Sequence, residues 1–126
     1  MDVMTTHGAF CWSELMSPDP AKAAEFYGSL FGWKLEEMPM PNGTYRVAKL
    51  GETPIGGIMA CPDAAMPPMW GVYVTVDDVD ESLAQCVSLG GAVLMPPMDV
   101  PTVGRMAALR DPQGAMFSII KYLPRA

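Results

Sequence analysis

The chain has 126 residues, of which 50% are apolar and 17% charged, and its net charge is −6. That length fits one compact domain, and the apolar content argues against a disordered chain, which would be poor in apolar residues and rich in charge. The negative balance disfavours nucleic acid and anionic membrane surfaces as partners. No apolar run approaches the roughly 18 residues of a membrane helix. Asp2 stands where a secretory leader would carry positive charge, so a cytoplasmic location is expected.

In chain order, Phe10 to Met16 reads as a strand. Asp19 follows as a helix N-cap with Pro20 at the first helical position, where a missing N–H does no harm. Ala23, Tyr27, Leu30 and Phe31 line one helix face, and Gly32 ends that helix. Trp33–Glu37, Thr44–Leu50 and Pro54–Ala60 are predicted strands, separated by the turns Pro41-Asn42-Gly43 and Gly51-Glu52. Cys61 to Pro68, rich in Pro and Ala, is a linker.

The same pattern then returns. Trp70–Val76 is a strand, Asp77-Asp78 supply an N-cap with Glu81 in capping-box position, and Val79, Leu83, Cys86 and Val87 follow at helical spacing. Gly90-Gly91 stops the helix, and Ala92–Met95 resumes as a strand. Gly104–Leu109 and Ala115–Tyr122 form a hairpin around Arg110-Asp111-Pro112-Gln113-Gly114. A constant offset of 59 residues links the halves: Asp19 falls on Asp78, Leu30 on Leu89, Arg46 on Arg105 and Leu50 on Leu109. The expected fold is therefore α+β, one domain over 1–126 made of two tandem βαβββ modules. Module one spans about 9–61, the linker 61–68 and module two about 69–122. Two such modules side by side would form an open half-barrel sheet with helices outside and a cleft inside, a shape suited to a small molecule.

Phe26-Tyr27 through Leu30-Phe31-Gly32-Trp33, Gly56-Gly57, Leu89-Gly90-Gly91 and the closing Asp111-Pro112-Gln113-Gly114 together resemble the vicinal oxygen chelate superfamily of glyoxalases, bleomycin-resistance proteins and extradiol dioxygenases. The resemblance implies a scaffold on which lyases, isomerases, dioxygenases and pure binders all occur. In metal-dependent members, the first and last strands of each copy contribute one ligand apiece. Carried over residue by residue, those positions are Trp12, Met59, Gly71 and Ser118, with Met59 answering to Ser118 across the repeat. Indole, thioether, glycine and a neutral hydroxyl are not the imidazole, thiolate or carboxylate such sites use, so no metal and no other cofactor is expected.

Alternation along the first strand puts Glu14 on the face of Trp12, a charge where the pattern calls for an apolar residue. Glu14 is thus a candidate general base or ligand contact, or else pairs with a basic group or lies at the wet rim. Gly71, Tyr73 and Thr75 share a face in the second copy. Arg105 either clamps an anionic ligand or pairs with Glu14 or a nearby Asp. The candidate ligand-binding set is Trp12, Glu14, Met59, Tyr73, Thr75, Arg105 and Ser118. His7, the sole histidine, precedes Trp12 by an odd spacing and belongs to a solvated N-terminus. Cys11, Cys61 and Cys86 form no CxxC pair and read as buried free thiols. Met38, Met40, Met95 and Met98 flank loops at the sheet ends as adaptable apolar surface. The expected function is metal-free binding of a small organic ligand, to sequester or sense it, by a homodimer. The alternative is a lyase, isomerase or dioxygenase-like enzyme that uses Glu14 as base or within a non-standard metal site.

Overall fold

The structure, a computed structural model, describes residues 1–40 and 43–124. Its elements are β1 (Phe10–Ser17), α1 (Pro20–Phe31), β2 (Lys34–Met40), β3 (Gly43–Leu50), β4 (Thr53–Ala60), β5 (Met69–Thr75), α2 (Val79–Ser88), β6 (Ala92–Val100), β7 (Gly104–Arg110) and β8 (Met116–Tyr122). This is the α+β class with βαβββ order twice over. No helix among the described residues is long and apolar enough to cross a membrane. Two compact units divide the chain, Trp12–Gly71 and a second made of Met1–Cys11 with Val72–Ala126.

In the Trp12–Gly71 unit, β1 runs parallel to β4, β4 antiparallel to β3, and β3 antiparallel to β2. Asp19 caps α1 by accepting the Lys22 N–H at 3.1 Å, and Gly32 closes it in the left-handed conformation (φ 74°) that favours glycine. Two rows of paired residues cross these strands. Ser13, Gly56 and Ala48 form one row, and Glu14, Gly57 and Val47 form the next. Successive residues of a strand point to opposite faces, so the two rows lie on opposite sides of the sheet.

In the other unit, β5 runs parallel to β8, and β8, β7 and β6 pair antiparallel. Asp78 caps α2 through the Glu81 N–H at 3.0 Å. Val79 of α2 packs with Val76, Ala107, Leu109 and Ile119 as a closed core, joined by Leu83, Cys86 and Phe117. The N-terminal segment is tied down here, because Gly8 N–H donates to the Thr75 carbonyl and Thr75 N–H donates to the Ala9 carbonyl.

Several boundaries differ from the sequence reading. Met38 and Met40 lie within β2, and Met95 and Met98 within β6, rather than in flanking loops. β2 carries Pro39 and β6 carries Pro96 and Pro97, and each strand pairs on one side only, β2 with β3 and β6 with β7, so a missing N–H can face away from the ladder. In β6 the register slips on either side of Met95, which accommodates Pro96 and Pro97. Of the predicted turn at 41–43, Pro41 and Asn42 lie outside the described residues. Cys11, Cys61 and Cys86 are free but half-buried rather than buried. His7 is exposed, yet not loose: its Nδ1 accepts the Asp77 N–H at 3.0 Å, just before the α2 cap.

Candidate ligand-binding site

The Glu14 row of the first unit carries the chemistry. Glu14 is 9% exposed although it is a carboxylate on a sheet. Burial of that kind needs hydrogen-bonding partners. The Tyr45 hydroxyl supplies one, donating to Glu14 Oε2 at 2.6 Å, and the Trp12 indole Nε1 donates in turn to the Tyr45 oxygen at 2.9 Å. Indole, phenol and carboxylate thus form a directed chain in which each donor has an acceptor. Trp12, Glu14 and Met16 on β1, Tyr45 on β3 and Met59 on β4 share this face by strand alternation and by the pairs Glu14↔Gly57, Val47↔Gly57 and Met16↔Met59.

Gly57 makes the chain possible. A Cβ there would stand 1.9 Å from the Tyr45 oxygen, so the phenol occupies the space a side chain would take. At Gly71, by contrast, a Cβ would find Met16 Cε at 3.9 Å, an ordinary contact. Sequence reasoning missed Tyr45 altogether. The available signal was Gly56-Gly57 inside a strand, the mark of a close approach by something else.

The ladders also correct one equivalence between the copies. Glu14 lies opposite Gly57 in the first unit, and Tyr73, its counterpart at the 59-residue offset, lies opposite Ser118 in the second. Gly57 therefore takes the place of Ser118, and Met59 stands two residues beyond it on the same face. The offset that aligns β1 with β5 does not carry through to the last strand.

In the second unit the predicted residues are engaged locally. The Thr75 hydroxyl is buried and donates to the Val3 carbonyl at 2.6 Å, which ties the N-terminal segment to β5. The Tyr73 hydroxyl meets Met106 Sδ at 3.8 Å. Ser118 is half-buried on β8. Arg105 grips Asp80 with Nε and Nη2, at 2.8 and 2.9 Å, and Asp99 with Nη1 at 3.2 Å. That guanidinium lowers the Asp80 carboxyl from its ordinary value, chiefly through its hydrogen bonds. Arg105 thus pairs with nearby aspartates, one of the two roles its position suggested.

Among the described residues, no group of three or more His, Cys, Asp or Glu is placed to hold a metal ion. Trp12, Met59, Gly71 and Ser118 supply no imidazole, thiolate or carboxylate, and neither does Gly57 in the corrected place. This donor set does not fit the divalent ion of the metal-dependent fold relatives.

A sequence profile of the Glyoxalase/Bleomycin resistance protein/Dioxygenase superfamily matches residues 9–119. The chain belongs to that superfamily. It is 41% identical over 119 residues to CFP32 of Mycobacterium bovis, a candidate glyoxylase by its name, covering 94% of this chain and 46% of that protein. It is 37% identical over 127 residues to the anthracycline biosynthesis protein DnrV of Streptomyces peucetius, covering 89% of this chain and 46% of that one. The chain thus spans about half the length of these curated relatives. Methylmalonyl-CoA epimerase from Mycobacterium tuberculosis shares the fold, with a TM-score of 0.68 at 16% identity over 93% of this chain and 89% of that one. The Streptomyces coelicolor epimerase does so at 0.71 and 14%, over 94% of this chain and 100% of that one.

Proposed function

We infer that the chain binds a small organic ligand on the face of Trp12, Glu14, Tyr45 and Met59, and that it does so without a resident metal. The observation that carries this reading is the Trp12–Tyr45–Glu14 chain. It fixes a carboxylate on the sheet face that also carries the Trp12 indole and the Met59 thioether. A fixed carboxylate selects a ligand with a hydrogen-bond donor or positive charge beside a flat apolar part, and the indole supplies the flat contact.

Thermal-shift screening of the purified chain against organic amines, phenols and amides tests the reading. A bound ligand at about 100 times its Kd adds about 2.7 kcal/mol of stability. Glu14→Gln and Trp12→Ala should each abolish the shift, and a chelator should leave it intact. Stoichiometric transition metal in the purified chain, lost together with binding on chelation, would overturn it.

The burial of Glu14 against a phenol favours a second reading, in which Glu14 is a general base of an isomerase or lyase. Exchange of solvent deuterium into a bound ligand, present in the native chain and absent in Glu14→Gln, would establish it over pure binding. The working form is proposed to be a homodimer with an interface above about 1,000 Å². Phe10, Val87 and Leu89 of the second unit, all exposed, offer apolar surface for it. Light scattering giving a monomer mass at micromolar concentration would reject the dimer.

A further inference from the structure

The opposite face of the same sheet holds a second feature. Beneath α1 the row across β1, β4 and β3 is Ser13, Gly56 and Ala48, three of the smallest side chains available. Nothing larger fits at the centre, because a Cβ on Gly56 would lie 2.6 Å from the Ser13 carbonyl oxygen. The helix above buries none of its own residues. Space is therefore left between helix and sheet, a cavity of about 480 Å³ lined by Tyr27, Phe31, Trp33 and Trp70 above that row. Its volume falls in the roughly 300–1,000 Å³ range of small-molecule sites.

The rings are ordered among themselves. Tyr27 and Trp33 stack with centroids 5.7 Å apart and planes 17° from parallel. Trp70 stands edge-on to both, at 5.3 Å and 82° from Tyr27 and 6.2 Å and 87° from Trp33. The Trp70 Nε1 donates to the Tyr27 hydroxyl at 3.3 Å, which orients both rings. Phe31 and Trp70 nevertheless remain 54% and 43% exposed, so a wall of the cavity still presents aromatic surface to water. Among the described residues, no charged side chain lines the cavity.

We propose that this cavity is a second binding site, separate from the Glu14 face, for an uncharged planar aromatic molecule of one or two fused rings. Such a molecule enters between α1 and the Ser13–Gly56–Ala48 row and covers the exposed faces of Phe31 and Trp70. Flat rings are selected because offset-stacked and edge-to-face contacts with the four aromatics add to simple burial. A charged ligand is rejected because no counter-charge compensates its desolvation. The volume admits one such molecule and is too small for a partner's helix.

The test is calorimetric titration of the full chain with 2-methoxynaphthalene, which has no donor for Glu14, using its saturated decahydro analogue as control. One molecule should bind per chain, with the saturated analogue weaker by about tenfold, the scale of one lost aromatic contact. Phe31→Ala and Trp70→Leu should each weaken 2-methoxynaphthalene by a similar factor while leaving the circular-dichroism melt in place, since both side chains are half exposed. Glu14→Gln should leave 2-methoxynaphthalene binding unchanged. Equal binding of the two analogues, or insensitivity to both aromatic variants, overturns the proposal. Loss of binding in Glu14→Gln alone places the ring on the other face and does the same, while leaving the Glu14 reading standing. Concentration-dependent dimerisation that Trp70→Leu abolishes would assign the patch to a second copy and equally overturn it.

Discussion

The two copies of the βαβββ unit treat their helices differently. Under α2, Leu109 and Phe117 pair across β7 and β8 beside Ala107 and Ile119, and Val79, Leu83 and Cys86 come down from the helix to meet that face of the sheet. Under α1, Leu15 and Ile58 are buried, but the row that answers to Leu109 and Phe117 is Ser13, Gly56 and Ala48, and no residue of the helix is fully buried. One copy has spent its helix–sheet interface on a core, and the other has kept an opening there.

The sharpest way to break this comparison is to truncate one side chain at each helix–sheet interface. Leu109→Ala in the second unit should cost about 2–5 kcal/mol in denaturant unfolding, because Leu109 is fully buried and its cavity cannot collapse without disturbing α2. Phe31→Ala under α1 should cost less than about 1 kcal/mol, the worth of its ring contact with Trp33 at 5.1 Å. Equal costs would show that α1 is packed after all.

A finer comparison sets two strand glycines of the first unit against each other. Gly57→Ala should cost about 1–3 kcal/mol, because the new methyl displaces the Tyr45 hydroxyl and leaves buried hydrogen-bonding groups without that partner. It should also remove whatever ligand response Glu14→Gln removes. Gly71→Ala should be neutral within about 0.5 kcal/mol, since its Cβ meets only ordinary contacts. Tyr45→Phe isolates the hydroxyl itself. A loss of about 1–2 kcal/mol is expected, together with a shifted Trp12 indole N–H resonance, since that proton loses its acceptor.

These glycines also mark what could be read from the chain alone. Caps, turns and strand order were legible because they rest on local chemistry: Asp19 and Asp78 cap where their side chains reach a backbone N–H three residues on, and Gly32 turns left-handed where it must. The face of Glu14 followed from alternation alone. The partner of Glu14 was not legible, because Tyr45 comes from a strand 31 residues away and only the ladder brings it there. The Gly57–Ser118 equivalence was hidden for a similar reason, since a two-residue slip of the last strand preserves its facing and leaves no trace in hydropathy. The prolines of β2 and β6 misled, because their meaning depends on whether a strand has one neighbour or two.

The smallest expected effect belongs to the second unit, where Arg105 of β7 pairs with Asp80 in the first turn of α2 and with Asp99 of β6. Arg105 holds Asp80 below its ordinary value, so the unfolded chain takes up a proton on Asp80 at a higher pH than the folded chain does. The stabilisation from this pair is fully present above the ordinary carboxylate value of 3.8 and is lost as pH falls through the lowered folded value. The melting temperature of the native chain should therefore drop more steeply below about pH 4 than that of Arg105→Gln, with the two curves parallel at higher pH. Both groups face solvent, so the difference should shrink as salt is raised. Identical curves at low salt would show that the pair contributes orientation of β7 without measurable stability.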